Sequence, residues 1–120
     1  MHPANLALRF ILEVSALSGY GILAWRSANG GWRVVVLVLV LCIVMTFWGV
    51  FAVPNDPSRS GSAPIPVSGL VRLGLELVIL LGGALSFYWA GYNLAAISLA
   101  IFVLLHYALS SARIVWLLQK

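Results

Sequence analysis

Long apolar stretches alternate with short polar breaks along this chain. A bilayer core about 30 Å thick requires about 20 apolar residues per helix. The pattern predicts four membrane-spanning helices, over residues 5–25, 33–53, 68–89 and 94–116. Glycine-containing breaks at 27–31 and 91–93 predict tight turns. Residues 54–67 are rich in proline and serine, which are incompatible with a helix interior, and we expect them to form the one sizeable loop.

The composition places the chain in a membrane and excludes several classes of function. Hydrophobic residues make up 62% of the chain and charged residues 8%, whereas soluble domains carry about 25% charged residues. A soluble enzyme domain is therefore excluded. The net charge of +4 comes from singly scattered basic residues, which fits an anionic lipid surface and indicates no nucleic-acid partner. The sequence spells out no nucleophile with a base and no set of metal ligands, so we expect no enzyme activity, metal or cofactor.

The distribution of basic residues predicts an orientation. The face that carries both termini and the long loop holds five of the seven Lys/Arg residues: Arg9, Arg59, Arg72, Arg113 and Lys120. The opposite face holds Arg26 and Arg33. Because cytoplasmic loops carry the excess of Lys and Arg, we expect a multi-pass protein of the plasma membrane with both termini in the cytoplasm.

An internal repeat places charged residues inside two of the helices. A shift of 63 residues aligns Arg9 and Glu13 with Arg72 and Glu76, so that each half of the chain opens with Arg-x-x-x-Glu. Two spans per half return the chain to its starting side, and the repeat is therefore parallel. The predicted fold is an all-α integral membrane protein, a single domain over residues 1–120. In it, a four-transmembrane-helix bundle is built from two parallel helix-hairpin repeats.

The polar residues of the four helices are predicted to share one layer. With a rise of 1.5 Å per residue, each helix contributes one polar side chain at a depth of about 10 Å from the same face. Together with the adjoining tyrosine and the two arginines one turn away, the predicted cluster comprises Arg9, Glu13, Thr46, Arg72, Glu76, His106 and Tyr107. Arginine and glutamate can pair across the bundle (Arg9–Glu76 and Arg72–Glu13) or within each helix.

Two interpretations of this cluster stay open. It can be a structural lattice that pins the helices, or a partner, in register. Alternatively, Glu13, Glu76 and His106 bind a proton, an ion or an amphiphile in a small transporter or channel. In that case a histidine beside two carboxylates would be protonated more easily and could sense protons. A pore would favour a homo-oligomer. The sequence identifies the lipid bilayer as a partner but no ligand.

Three segments resemble the YrdB-like family of small bacterial membrane proteins with four predicted spans. They are the opening Asn-Leu-Ala-Leu-Arg-Phe-Ile-Leu-Glu at 5–13, the Trp-Gly-x-Phe-x-x-Pro element at 48–54 and Arg-Leu-Gly-Leu-Glu-Leu at 72–77. The resemblance covers nearly the whole chain. It implies bacterial origin and residence in the plasma membrane, and it implies no activity.

Overall fold

The computed structural model describes residues 3–57 and 63–120, and it is almost entirely helical. In chain order the elements are α1 (Pro3–Ser27), α2 (Trp32–Val50), β1 (Phe51–Ala52), β2 (Ile65–Pro66), α3 (Gly69–Trp89), α4 (Asn93–Leu109) and α5 (Ser111–Leu118). Helices α1, α2 and α3 are each long and apolar enough to cross a membrane, and α4 with α5 makes a fourth span if that bent pair is counted as one.

The outer surface is apolar, most clearly on α2. None of the residues of this helix is buried, and side chains such as Val38, Leu39 and Ile43 are more than half exposed. Soluble monomers rarely expose large contiguous apolar patches. An apolar helix that packs with one side on the protein and turns the other outward is suited to contact with lipid tails. The chain is accordingly an all-α membrane protein.

Helices α1 and α3 cross closely because small residues line their contact. A Cβ atom on Gly83 would lie 2.6 Å from the Cα atom of Ala16, and one on Gly19 would lie 2.5 Å from the Gly83 carbonyl oxygen. Small residues let helix backbones approach in this way in membranes. The buried apolar core spreads from this crossing toward α4 and consists of Leu12, Ala16, Leu80, Ala84, Leu99, Val103 and Tyr107.

The end of α2 departs from the sequence prediction. We expected helix as far as residue 53, but α2 ends at Val50 and the chain becomes extended. Proline disfavours the helical conformation in the residue before it, and Pro54 thereby disfavours helix at Val53, the last residue of the predicted helix. Strand β1 then pairs in parallel with β2. Strand β2 lies in the segment 54–67, which we expected to form only a loop. This short pairing ties the chain that leaves α2 to the chain that enters α3.

The prediction of one continuous fourth helix is also wrong. It breaks at Ser110 into α4 and α5, which meet at an angle of 73°. The Ser110 hydroxyl donates to the carbonyl oxygen of His106 at 2.7 Å, and serine bonds of this kind to the residue four earlier bend helices. Two adjacent serines, Ser110 and Ser111, stand at the break, a common site of sharp kinks. As a result α5 folds back onto α3, where Leu117 packs against Gly69.

Candidate functional site

The Glu76 carboxylate is the centre of a buried network of hydrogen bonds and ion pairs. Its residue is 0% exposed. Arg9 of α1 donates to both carboxylate oxygens, from Nη1 to Oε1 at 3.2 Å and from Nη2 to Oε2 at 2.9 Å. Arg72, one turn earlier on α3, donates from Nε to Oε2 at 2.8 Å. This arrangement combines the two pairing schemes that the sequence left open, because Arg9 reaches across to Glu76 while Arg72 pairs within its own helix.

Helices α4 and α5 each add a donor to the same carboxylate. The Tyr107 hydroxyl donates to Oε1 at 2.8 Å, and Arg113 Nη2 donates to Oε2 at 2.7 Å. The same Arg113 nitrogen lies 2.8 Å from Asp56 Oδ2, in the segment between the two strands. The network thereby links α1, α3, α4, α5 and the β1–β2 connection. We call it the Glu76 network, with members Arg9, Asp56, Arg72, Glu76, Tyr107 and Arg113.

Arg72 extends the network to α2. Its Nη1 donates to the carbonyl oxygens of Trp48 and Phe51, at 2.5 and 2.7 Å. The last carbonyl groups of a helix have no partner within that helix, and a cation is favourable at this end of the helix dipole. Arg72 thus satisfies the C-terminus of α2. The Trp48 ring in turn stacks against Arg9 and Arg72, at 5.1 and 4.8 Å from the ring centroid to Cζ.

Glu13 lies beside the network in a different environment. Its carboxylate is 28% exposed, and Arg9 Nε lies 3.4 Å from Oε1. The Trp48 side chain lies in the same cavity wall as this carboxylate. On its other side Glu13 borders a cavity of about 190 Å³ between α1, α2 and α3, otherwise lined by Ala16, Leu17, Val44, Met45, Trp48, Ile79 and Leu80.

His106 does not contact either glutamate, contrary to the arrangement expected from the sequence. Its Nδ1 lies 2.7 Å from Asn5 Oδ1, and Asn5 Nδ2 donates to the Ser110 hydroxyl at 2.6 Å. Because the amide oxygen of Asn5 can only accept a hydrogen bond, His106 Nδ1 is the donor in this contact. Tyr107 packs edge-on against the ring. The imidazole thus joins the start of α1 to the break between α4 and α5.

Thr46 is not part of the polar layer. It is exposed on α2, and its hydroxyl donates to the carbonyl oxygen of Cys42 at 2.7 Å. The depth argument placed Thr46 in the polar layer, but the helix turns this side chain away from the bundle. A hydroxyl that bonds within its own helix can face lipid without leaving a donor unsatisfied, so polarity alone is a poor guide to direction here.

Sequence reasoning missed four contributors: Asn5, Asp56, Ser110 and Arg113. Arg113 was used to judge orientation, because a straight fourth helix would place it at the membrane surface. One signal was available in the charge count. The chain has three acidic residues, and Glu13, Asp56 and Glu76 are each paired with an arginine. A search for a cation to match every acid would have pointed to Arg113.

What each carboxylate of the site can bind depends on how many of its oxygen acceptor positions already receive a hydrogen bond. A carboxylate offers about four acceptor positions, and the donors on Glu76 use all of them. This group therefore has no free position for a metal ion or a substrate. Within residues 3–57 and 63–120, no group of three or more His, Cys, Asp and Glu side chains is placed to hold a metal ion. Glu13, with fewer donors and a cavity beside it, is the acidic side chain available to a ligand.

Comparison with known proteins gives a family but no activity. A family model described as a protein of unknown function (DUF2568) matches residues 7–104. An uncharacterized protein from Bacillus subtilis (strain 168), YrdB, is 41% identical over 120 residues, which cover all of this chain and 98% of the relative. No solved structure matches the chain. The resemblance drawn from the three sequence segments is thereby confirmed, and the chain belongs to the YrdB-like family of proteins of unknown function (DUF2568).

Proposed function

We propose that this protein is a non-enzymatic protein of the bacterial plasma membrane, in which the Glu76 network holds the helices and the β1–β2 connection in one fixed arrangement. The observation that carries the proposal is the complete occupancy of the Glu76 carboxylate by donors from α1, α3, α4 and α5. A buried acid whose oxygens are all occupied serves to hold elements together.

The energetics of charges in a membrane support this role. Each charged side chain at the bilayer centre costs about 2.5–3.5 kcal/mol on insertion scales. Arg9, Arg72 and Arg113 are all buried, and each is paired with a carboxylate. Removal of Glu76 would take a counter-charge from three buried arginines at once, so the arrangement resists separation of any one helix. The same logic allows the network to hold a partner helix, but the donors on Glu76 come from within the chain.

The proposed architecture is a bundle of two parallel helix hairpins in the bilayer, with both termini on the cytoplasmic side. The equivalent Arg-x-x-x-Glu motifs at the starts of α1 and α3 support the repeat, as does the close crossing of these two helices. The excess of Lys and Arg on the face with both termini supports the orientation. The hairpins differ in that α2 is continuous, whereas its counterpart is broken at Ser110.

A second candidate function is a small transporter or channel, which one observation favours. Glu13 is partly exposed and borders a cavity, so a proton, ion or amphiphile could reach it. Glu76 and His106 fit this function less well because both are fully buried and engaged with neighbouring side chains. A transporter of this size would require an oligomer, and the exposed apolar face of α2 would be available for one.

The two functions are separated by a flux measurement on the reconstituted full chain. If the network only holds the bundle, vesicles with and without protein lose an imposed pH gradient at the same rate. In parallel, Glu76→Gln lowers the thermal unfolding midpoint in detergent. Transport instead predicts a faster loss of the gradient that depends on protein. A Glu76→Gln variant that unfolds at the wild-type temperature but abolishes such a flux would contradict the structural role.

A further inference from the structure

We infer that the cavity beside Glu13 is a binding site for a small hydrophobic ammonium ion, with the carboxylate as its counter-ion. The cavity lies outside the Glu76 network, and the inference does not depend on the function proposed for that network. Three features of the cavity carry it: the chemistry of its wall, the free acceptor capacity of Glu13 and the opening toward lipid.

The wall of the cavity is apolar except at the end formed by Glu13. Leu17, Val44, Met45 and Leu80 are among the side chains that line it, and Glu13 provides the carboxylate. The volume is about 190 Å³, and an apolar cavity of about 150 Å³ is large enough for benzene. The space therefore fits an apolar body of about one aromatic ring, with a charged group at the Glu13 end.

Glu13 has acceptor capacity to spare. Arg9 commits both of its Nη nitrogens to Glu76 and reaches Glu13 through Nε at 3.4 Å. Since a carboxylate has about four acceptor positions, a primary ammonium group can still donate to Glu13. Charge complementarity selects a cation, because Glu13 is the charged residue among those that line the cavity.

The cavity opens toward the surface that lipid covers. Met45 lines it and is itself 57% exposed on the outer face of α2. A ligand that enters by this route has to partition into the bilayer first, which favours an amphiphilic amine over a simple inorganic cation. Methionine is unbranched and flexible, so its side chain can move aside as the ligand enters.

The test is a titration of the full chain in detergent micelles, followed through the indole N–H signal of Trp48 in ¹⁵N-labelled protein. The probes are benzylammonium at pH 7 and benzyl alcohol, which has nearly the same size without the charge. Benzylammonium should bind with a dissociation constant on the order of 1 mM, given about eight non-hydrogen atoms. Benzyl alcohol and the Glu13→Gln variant should each show at least tenfold weaker binding.

A second pair of variants tests the cavity without removal of the charge. Met45→Trp fills the space and should abolish the Trp48 response, whereas Val38→Trp, at an exposed α2 position outside the cavity, should leave it intact. The inference is overturned if both probes act equally, if Glu13→Gln titrates like wild type, or if the two tryptophan variants behave alike. This second pair decides the matter if Glu13→Gln does not fold.

Discussion

Glu13 and Glu76 occupy equivalent places in two helices, each four residues after an arginine, yet their surroundings differ. Glu76 is completely buried, and arginines from three helices and a tyrosine donate to it. Glu13 is 28% exposed and borders a cavity. The same Arg-x-x-x-Glu motif therefore yields a fully buried carboxylate in α3 and a partly exposed one in α1.

The neighbouring elements account for the difference. Glu76 faces Tyr107 of α4 and, because the helix breaks at Ser110, also Arg113 of α5. Glu13 faces α2, whose nearby wall consists of Val44, Met45 and Trp48. The two motifs share their local spacing, while the surroundings of each glutamate are set by the helices that pack against it. The break in the fourth predicted helix gives Glu76 a donor, Arg113, that Glu13 lacks.

The largest expected effect on stability comes from a single substitution at Glu76, compared with the same substitution at Glu13. Glu76→Gln removes the counter-charge of three buried arginines and should lower the free energy of unfolding by about 3–5 kcal/mol, the usual loss when a buried ion pair is broken. Glu13→Gln should cost no more than about 1 kcal/mol, as for exposed pairs. Titration with a denaturing detergent, followed by circular dichroism, measures both. Equal losses would remove the distinction between the two motifs.

A smaller effect is expected from disturbance of the helix crossing that lets Arg9 reach Glu76. The Cβ atom in Gly83→Ala would lie 2.6 Å from the backbone of Ala16, and overpacking of this kind costs about 1–3 kcal/mol. Gly74→Ala is the matched control, because on the same helix no atom lies within 4 Å of its added Cβ. The same unfolding titration applies. If Gly83→Ala is as stable as Gly74→Ala, the crossing does not constrain the network.

Tyr107→Phe tests one hydrogen bond to Glu76 without a change in charge. The ring stays in the core while the donor at 2.8 Å is lost. Polar interactions between membrane helices contribute about 0.6–1.7 kcal/mol, and we expect a loss in that range. A double-mutant cycle with Glu76→Gln isolates the pairwise contribution. Additive losses in that cycle would show that the tyrosine acts independently of the carboxylate.

The smallest effect is expected at Thr46. Thr46→Val keeps the shape of the side chain and removes a hydroxyl that bonds within its own helix. The free energy of unfolding should change by no more than about 0.5 kcal/mol, as for other surface positions. The amine titration of the Glu13 cavity should also be unaffected. A large loss of stability or of binding at this position would restore Thr46 to the polar layer.

Much of the polar site was visible in the sequence, but its contacts were not. The cluster predicted from helix depth and spacing included Arg9, Glu76 and Tyr107, and the structure brings these three together. Depth says nothing of direction around the helix axis, which is why Thr46 was misplaced. Arg113 was missed because a straight fourth helix puts it at the membrane surface, whereas the break at Ser110 brings it to Asp56 and Glu76.

The sequence by itself determined that this is an all-α membrane protein with charged residues inside its apolar helices, because apolar length and charge content are properties of each segment alone. It also carried the family resemblance. The tertiary structure decided which glutamate is buried, where the fourth helix breaks and how β1 and β2 pair. These features depend on residues far apart in the chain, such as Asn5 with Ser110 and Arg113 with Asp56, and no local pattern contains such contacts.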